Sequence, residues 1–254
     1  MRKLIINADD FGWDDDTYHA TVACFEAGLL TSATIMTGRP ASAQAFEYAR
    51  RNRKRCSFGL HFNMVDGHPP LAGSAPSLCT RGRVFRESNR QRVRALAWML
   101  SEEDIAREFR HQLEELRDNG VHVTHVDSHG HLHKFPVVIS ALRREMARAG
   151  LDWVRRPQNF YFAANPRQAV MNNYCHLYFA GLRHTHYYGA INHDDDGWAA
   201  RLPDLLRDGV TEISVHPGYA ESWRKCEAEP LIDAGDLRAA LARNGVQLTR
   251  YGQS

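Results

Sequence analysis

Four times along this chain a short apolar run ends in histidine or in paired carboxylates. Leu4-Ile5-Ile6 leads into Asn7-Ala8-Asp9-Asp10-Phe11-Gly12, and Gly59-Leu60 leads into His61-Phe62-Asn63. Thr124-His125-Val126-Asp127 leads into Ser128-His129-Gly130-His131-Leu132-His133, and Ile213-Ser214-Val215 leads into His216-Pro217-Gly218. Short apolar runs bounded by turn residues read as buried strands. In parallel α/β folds ligands gather beyond the carboxyl ends of the strands. All four polar groups would then meet at one rim, which constrains the chain to an α/β architecture with a parallel β-sheet.

The remaining pattern agrees. Strands are expected at 3–7, 31–37, 57–63, 121–127, 151–155, 185–190, 211–216 and 246–250. The segments between them read mostly as helices. The clearest spans 101–119, where Ser101 can cap the start, Gly120 can end it, and Ile105, Phe109, Leu113 and Leu116 form one apolar face. Another spans 136–149, opened by Pro136 and closed by Gly150. Eight strands alternating with helices fit a TIM-like (β/α) barrel better than an open sheet. With no repeat or linker, one domain over 1–254 is expected. The stretch 68–92 lacks periodicity and is long for a connection, as binding loops and lids are.

Composition removes other classes. A net charge of +2, from 32 basic and 30 acidic residues, is no footprint for nucleic acid. No apolar run approaches the ~18 residues of a membrane span, and the N-terminus has only three consecutive aliphatic residues where a signal peptide needs many more. A cytoplasmic protein is expected, and a homo-oligomer is left open. The five cysteines are widely spaced without a CxxC pair, so neither a disulfide framework nor a thiolate zinc site is expected. Histidine is the outlier: there are 14, five of them between His122 and His133. Imidazole with carboxylate is the ligand set of zinc and of iron, cobalt or nickel. Two adjacent carboxylates leaving a buried strand are costly unless they hold a cation or share protons. Asp14-Asp15-Asp16 already occupies the place where a helix cap would be expected, which leaves Asp9 and Asp10 free for such a role. A second acidic cluster, Asp194-Asp195-Asp196 beside His193, reads as a solvated loop.

ADDFG, GLHFN, THVDSHGHLH and SVHPG, in this order and at these spacings, resemble the YdjC-like carbohydrate deacetylase family. That family includes chitooligosaccharide deacetylases and is related in site design to the NodB-type polysaccharide deacetylases. The resemblance runs from about Leu4 to Pro217 and is weakest over 68–92 and 158–198. It implies a distorted (β/α) TIM-like barrel, hydrolysis of an acetamide on an N-acetylated sugar, and one divalent metal ion. By position it assigns Asp10, His61 and His129 as metal ligands, Asp9 as general base and His216 as general acid. An Arg-containing segment commonly follows the fourth strand of the family, and Arg155 and Arg156 fit that place, as contacts to substrate or as a surface pair.

Elementary chemistry is consistent with these roles. Amide hydrolysis needs an activated water, a polarised carbonyl and a proton for the amine, which an ion with open positions and a base–acid pair supply. Adjacent strand residues point to opposite faces, so Asp9 and Asp10 can share a site only if the chain bends, and Phe11-Gly12 would permit this. Asp127 is expected to fix a histidine tautomer, while His125, His131 and His133 remain supporting or substrate-contact candidates. Two nitrogen ligands favour Zn2+ over Mg2+. Trp13, Phe62, Tyr161, Phe162, Tyr187, Tyr188 and Trp198 could stack on sugar rings. Another metal-dependent amide or phosphoester hydrolase, and a non-catalytic metal-containing sugar-binding protein, are the alternatives.

Overall fold

The structure, a computed structural model, describes residues 1–192 and 195–253. Its strands are β1 (Arg2–Phe11), β2 (Ser32–Ile35), β3 (Ser57–Phe62), β4 (Val123–Ser128), β5 (Tyr187–Ala190), β6 (Gly209–Val215) and β7 (Gln247–Leu248). They form a parallel sheet in the order β4-β3-β2-β1-β6-β5, with β7 also paired to β1. The helices are α1 (Asp15–Ala27), α2 (Ser42–Asn52), α3 (Ser88–Leu96), α4 (Glu102–Asp118), α5 (Pro136–Arg148), α6 (Arg167–Tyr178), α7 (Trp198–Leu205), α8 (Ser222–Ile232) and α9 (Gly235–Arg243). The sheet curls into an incomplete barrel. Past β4 the curl continues through single bridges, Val126 to Val154 and Trp153 to Arg183. The strand expected at 151–155 is therefore reduced to two bridged residues, and the one expected at 246–250 to Gln247–Leu248.

Strand parity sorts the core. Leu4, Ile6 and Ala8 of β1 face the helices, whereas Ile5 packs inside the curl with Trp153, Val210 and Tyr251. By the same alternation Asn7 and Asp9 of β1, Gly59 and His61 of β3, His125 and Asp127 of β4, and Glu212 and Ser214 of β6 point inward. Arg155 shows that this interior is shared: it is fully buried and touches Asp9 of β1, Asp127 of β4 and Glu212 of β6 at once. Gly59 has no side chain because His125 fills that place; a Cβ there would lie 2.7 Å from the His125 ring.

Helix α4 docks as its spacing requires, with Ile105, Phe109, Leu113 and Leu116 buried and Ser101 accepting from the Asp104 amide. Phe109 meets Phe62 of β3 edge-on, their centroids 5.6 Å apart. The same face also buries Glu108 and Gln112, which have a different task. Glu108 accepts from the amides of Leu71 and Ala72, and Asp104 accepts from Ser77. Gln112 bonds both backbone groups of Asn63. These bonds order the connection after β3, which sequence periodicity leaves blank, and its last part forms α3.

Candidate active site

Asp9 and Asp10 end β1, and the bend that brings both into one cleft lies at Asp10 itself, one residue before the expected place. Asp10 has φ +58, and the β1–β2 register shifts between Ala8 and Phe11. A left-handed non-glycine residue is costly, and such residues gather where the surroundings over-determine them. Here the fold accepts that cost at Asp10 and His131, which line the cleft, and at Asp66, which faces His129 from behind, as well as at Arg83 and Trp98 elsewhere.

Three side chains from three strand ends converge. Asp10 Oδ1 lies 2.8 Å from His129 Nδ1 and 3.3 Å from His61 Nε2, and the two ring nitrogens are 3.3 Å apart. A tetrahedral ion with bonds of about 2.0 Å needs ligand atoms about 3.3 Å apart, so the triangle fits a small cation. Asp10 Oδ1 is buried and takes no hydrogen bond of good geometry, an orphan acceptor of the kind a metal satisfies. The other ring nitrogens are held from behind. His61 Nδ1 donates to Asp127 at 2.7 Å, and His129 Nε2 to Asp66 at 3.1 Å. Thr34 of β2 donates to Asp127 at 3.1 Å. Burial alone would lower the His61 pKa, but Asp127 and Asp10 outweigh it and raise it to about 10. Asp10 is buried, which alone would raise it, yet His129 and His61 hold it well below the usual carboxylate range. A second triple, Asp9, His61 and Asp127, also meets the spacing for a cation. There the Arg155 guanidinium already stands between the two carboxylates, 2.7 Å and 2.5 Å away.

Opposite the triangle, Asp9 receives both Arg155 terminal nitrogens at 2.7 Å and the Asn7 amide at 2.9 Å. Burial would raise its pKa; the Arg155 charge and hydrogen bonds outweigh this and keep it ionised. His216 Nε2 is 3.7 Å from Asp9 Oδ2, and its Nδ1 faces Glu227 at 3.1 Å. Glu227 also accepts from the His216 amide. Burial lowers the His216 pKa, but Glu227, Asp9 and Asp10 together raise it above the usual imidazole range.

The structure thus brings together Asp9, Asp10, His61, His129 and His216, and places the other sequence candidates around them. His131 lines the cleft with an unpartnered, buried Nδ1. His133 is buried against Ser128 Oγ, and His125 lies deeper in the curl, stacked on Tyr251 at 3.7 Å. Arg155 stands behind Asp9 rather than in the cleft, and Arg156 bonds the His186 carbonyl and Asn172 away from it. Trp13 borders the cleft, 5.3 Å from the His129 ring and under the Arg39 guanidinium. Tyr188 faces His131 from below. Phe62 and Trp198 are core, and Tyr161 and Phe162 line a separate depression. Tyr187 is half-buried under the Arg207 guanidinium. His193 and Asp194 lie outside the described residues, while Asp195 pairs with Arg201.

Sequence reading missed Asp66, Arg92, Trp223, Arg224 and Glu227. Arg224 donates to Asp10 Oδ2 at 2.8 Å, leaving Oδ1 to face the histidines. Gly218 of the SVHPG motif makes room for it: a Cβ there would lie 2.8 Å from Arg224 Cδ. The sequence carried only a faint signal, the i, i+3, i+4 and i+7 spacing of Arg224, Glu227, Ala228 and Leu231; the structure shows that this stripe is buried, with charges in two of its places.

A family model described as YdjC-like protein matches residues 3–243. A carbohydrate deacetylase of Geobacillus stearothermophilus is 28% identical over 252 residues, covering 98% of this chain and 97% of its own. The human carbohydrate deacetylase is 28% identical over 292 residues, covering 97% of this chain and 89% of its own. A crystal structure from Enterococcus faecalis V583, named for a proposed role in cellobiose-phosphate cleavage, has a TM-score of 0.79 at 21% identity. It covers 98% of this chain and 97% of its own, and shares the fold. With nearly the whole length matched by the family model, this chain belongs to the YdjC-like family.

Proposed function

We propose that this chain is a metal-dependent deacetylase of N-acetylated sugars, with Asp10, His61 and His129 holding one divalent ion. The observation that carries the reading is the orphaned Asp10 Oδ1, aimed at two imidazole nitrogens and facing an ionised carboxylate–histidine pair. Relatives named carbohydrate deacetylase support the substrate class. A nitrogen-rich donor set favours Zn2+, with Mg2+ second.

Bound there, the ion would polarise the acetamide carbonyl and acidify an attacking water. Asp9 is the base. Arg155 keeps it ionised and immobile, in the charge state and position from which a carboxylate can accept the proton of the attacking water. His216 is the acid. Glu227 fixes Nδ1, which directs the Nε2 proton toward the cleft, where the leaving amine needs it. Asp127 and Asp66 orient the two ligand rings, and Arg224 orients the Asp10 carboxylate. Trp13 and Trp223 offer flat faces on which a sugar ring can lie.

The test is acetate release from a panel of N-acetylated sugars, before and after chelation, with zinc or magnesium restored. Chelator-sensitive release that returns with metal supports the reading. Release that persists in the metal-free protein overturns it, and so does a metal-loaded protein that cleaves phosphoesters while leaving every acetamide intact.

A further inference from the structure

Segment 81–99 is unlike the rest of the surface. It contains six arginines, Arg81, Arg83, Arg86, Arg90, Arg92 and Arg94, against Glu87 alone, in a chain whose net charge is only +2. Elsewhere many surface arginines stand in ion pairs, as do Arg50, Arg55, Arg110, Arg144 and Arg148, while others, such as Arg117, Arg238 and Arg250, bond backbone carbonyls. None of the six has a carboxylate partner among the described residues; Arg86, Arg92 and Arg94 bond backbone carbonyls instead. The same segment exposes Val93 (65%), Leu96 (66%), Trp98 (64%) and Met99 (54%). Arg90, Val93, Leu96 and Ala97 lie on the outward face of α3, opposite buried Gln91 and Ala95. The apolar tip is held in place rather than slack. The Met99 amide donates to the Arg94 carbonyl at 2.9 Å, and the Arg94 side chain donates to the Met99 carbonyl at 3.0 Å.

An apolar patch of this kind calls for an occupant. A second copy of the chain meeting the same patch would set arginine against arginine, which disfavours a symmetric dimer here. Exposed tryptophan and aliphatic side chains, on a segment that also carries Arg81, Arg83 and Arg90 without carboxylate partners among the described residues, complement the headgroup level of an anionic bilayer. The patch also borders the cleft. Arg92, on the same helix, lines it and donates to the Gly130 carbonyl at 2.9 Å. Leu96 is one turn further, about 6 Å along the axis.

We propose that segment 81–99 docks this protein on an anionic lipid bilayer, with Val93, Leu96, Trp98 and Met99 entering the headgroup layer and Arg81, Arg83 and Arg90 meeting lipid phosphates. The cleft then works within reach of the membrane surface. The docking is independent of the reaction assigned to the cleft.

The test is co-sedimentation of the full chain with phosphatidylglycerol vesicles and with phosphatidylcholine vesicles, at low and high salt. Binding to the first, little to the second, and weakening with salt are expected. The Leu96→Ser/Trp98→Ser variant and the Arg81→Gln/Arg83→Gln/Arg90→Gln variant should each bind about tenfold more weakly or worse. Thermal melting should not change, since these side chains are exposed. Wild-type tryptophan emission should shift to the blue on vesicles, and the Trp98→Ser variant should lose that shift. Failure to bind phosphatidylglycerol vesicles overturns the proposal, as does equal binding by the variants. Self-association that both variants abolish also overturns it, by making the patch a contact between copies.

Discussion

The two walls of the cleft are built on different supports. On one, Asp10, His61 and His129 stand at or just past the ends of β1, β3 and β4: the ladder sets His61 opposite Asp127, Asp10 turns out where the β1–β2 register shifts, and His129 directly follows Ser128, the last residue paired to β3. On the other, His216 leaves β6 and is held by side chains of α8: Glu227 bonds its amide and faces its ring, and Arg224 crosses to Asp10. Asp16 of α1 ties the intervening loop through the Tyr219 and Ala220 amides. A ladder fixes a residue through many shared bonds, whereas the α8 wall rests on a few buried charges. The first wall suits a metal, which needs ligand atoms placed within tenths of an ångström. The second suits proton transfer, which needs the right tautomer and charge.

Four substitutions separate these walls, from largest effect to smallest. His129→Ala should abolish metal binding, read as metal content of the purified protein; a variant with full metal would reassign the ligand. Asp9→Asn should keep the metal and lose roughly a thousandfold in kcat, within the 10²–10⁴ range for general catalysis. Metal loss in that variant would mean that the two walls are not separable. Asp127→Asn should weaken metal affinity about 10- to 100-fold by loosening the His61 ring, measured by competition with a chelating dye, with a smaller loss of kcat at saturating metal. Glu227→Gln should act on proton transfer alone. His216 must be protonated to act as acid, so activity falls as pH rises through its pKa. Wild type should therefore hold activity above the usual imidazole value of about 6.5, because Glu227 raises the His216 pKa. In Glu227→Gln that descending limb should move to lower pH with metal content unchanged, and an unmoved limb would remove His216 from the role.

Much of the first wall was legible because strand-end motifs are local. ADDFG, GLHFN and DSHGH each put their polar residue directly after the run that positions it. The helix over 101–119 was legible for the same reason, through its cap and apolar spacing. The α8 wall was not read, because Arg224 and Glu227 at i, i+3 look like an ordinary solvated pair until a core is found beneath them. The connection after β3 escaped periodicity because its order comes from Glu108, Asp104 and Gln91, each bonding backbone far along the chain.

The amino-acid order by itself determined the parallel α/β class, the rim where chemistry collects and the residue types available to hold a metal there. Those follow from short-range rules of strand alternation, capping and burial. Tertiary structure alone decided that Asp10 turns through a left-handed bend to join Asp9, that Arg155 serves Asp9 rather than a substrate, and that Glu227 holds His216. Each depends on charges brought together from distant segments into a buried interior, where an unpaired charge is too costly to tolerate and partners are chosen by proximity in space.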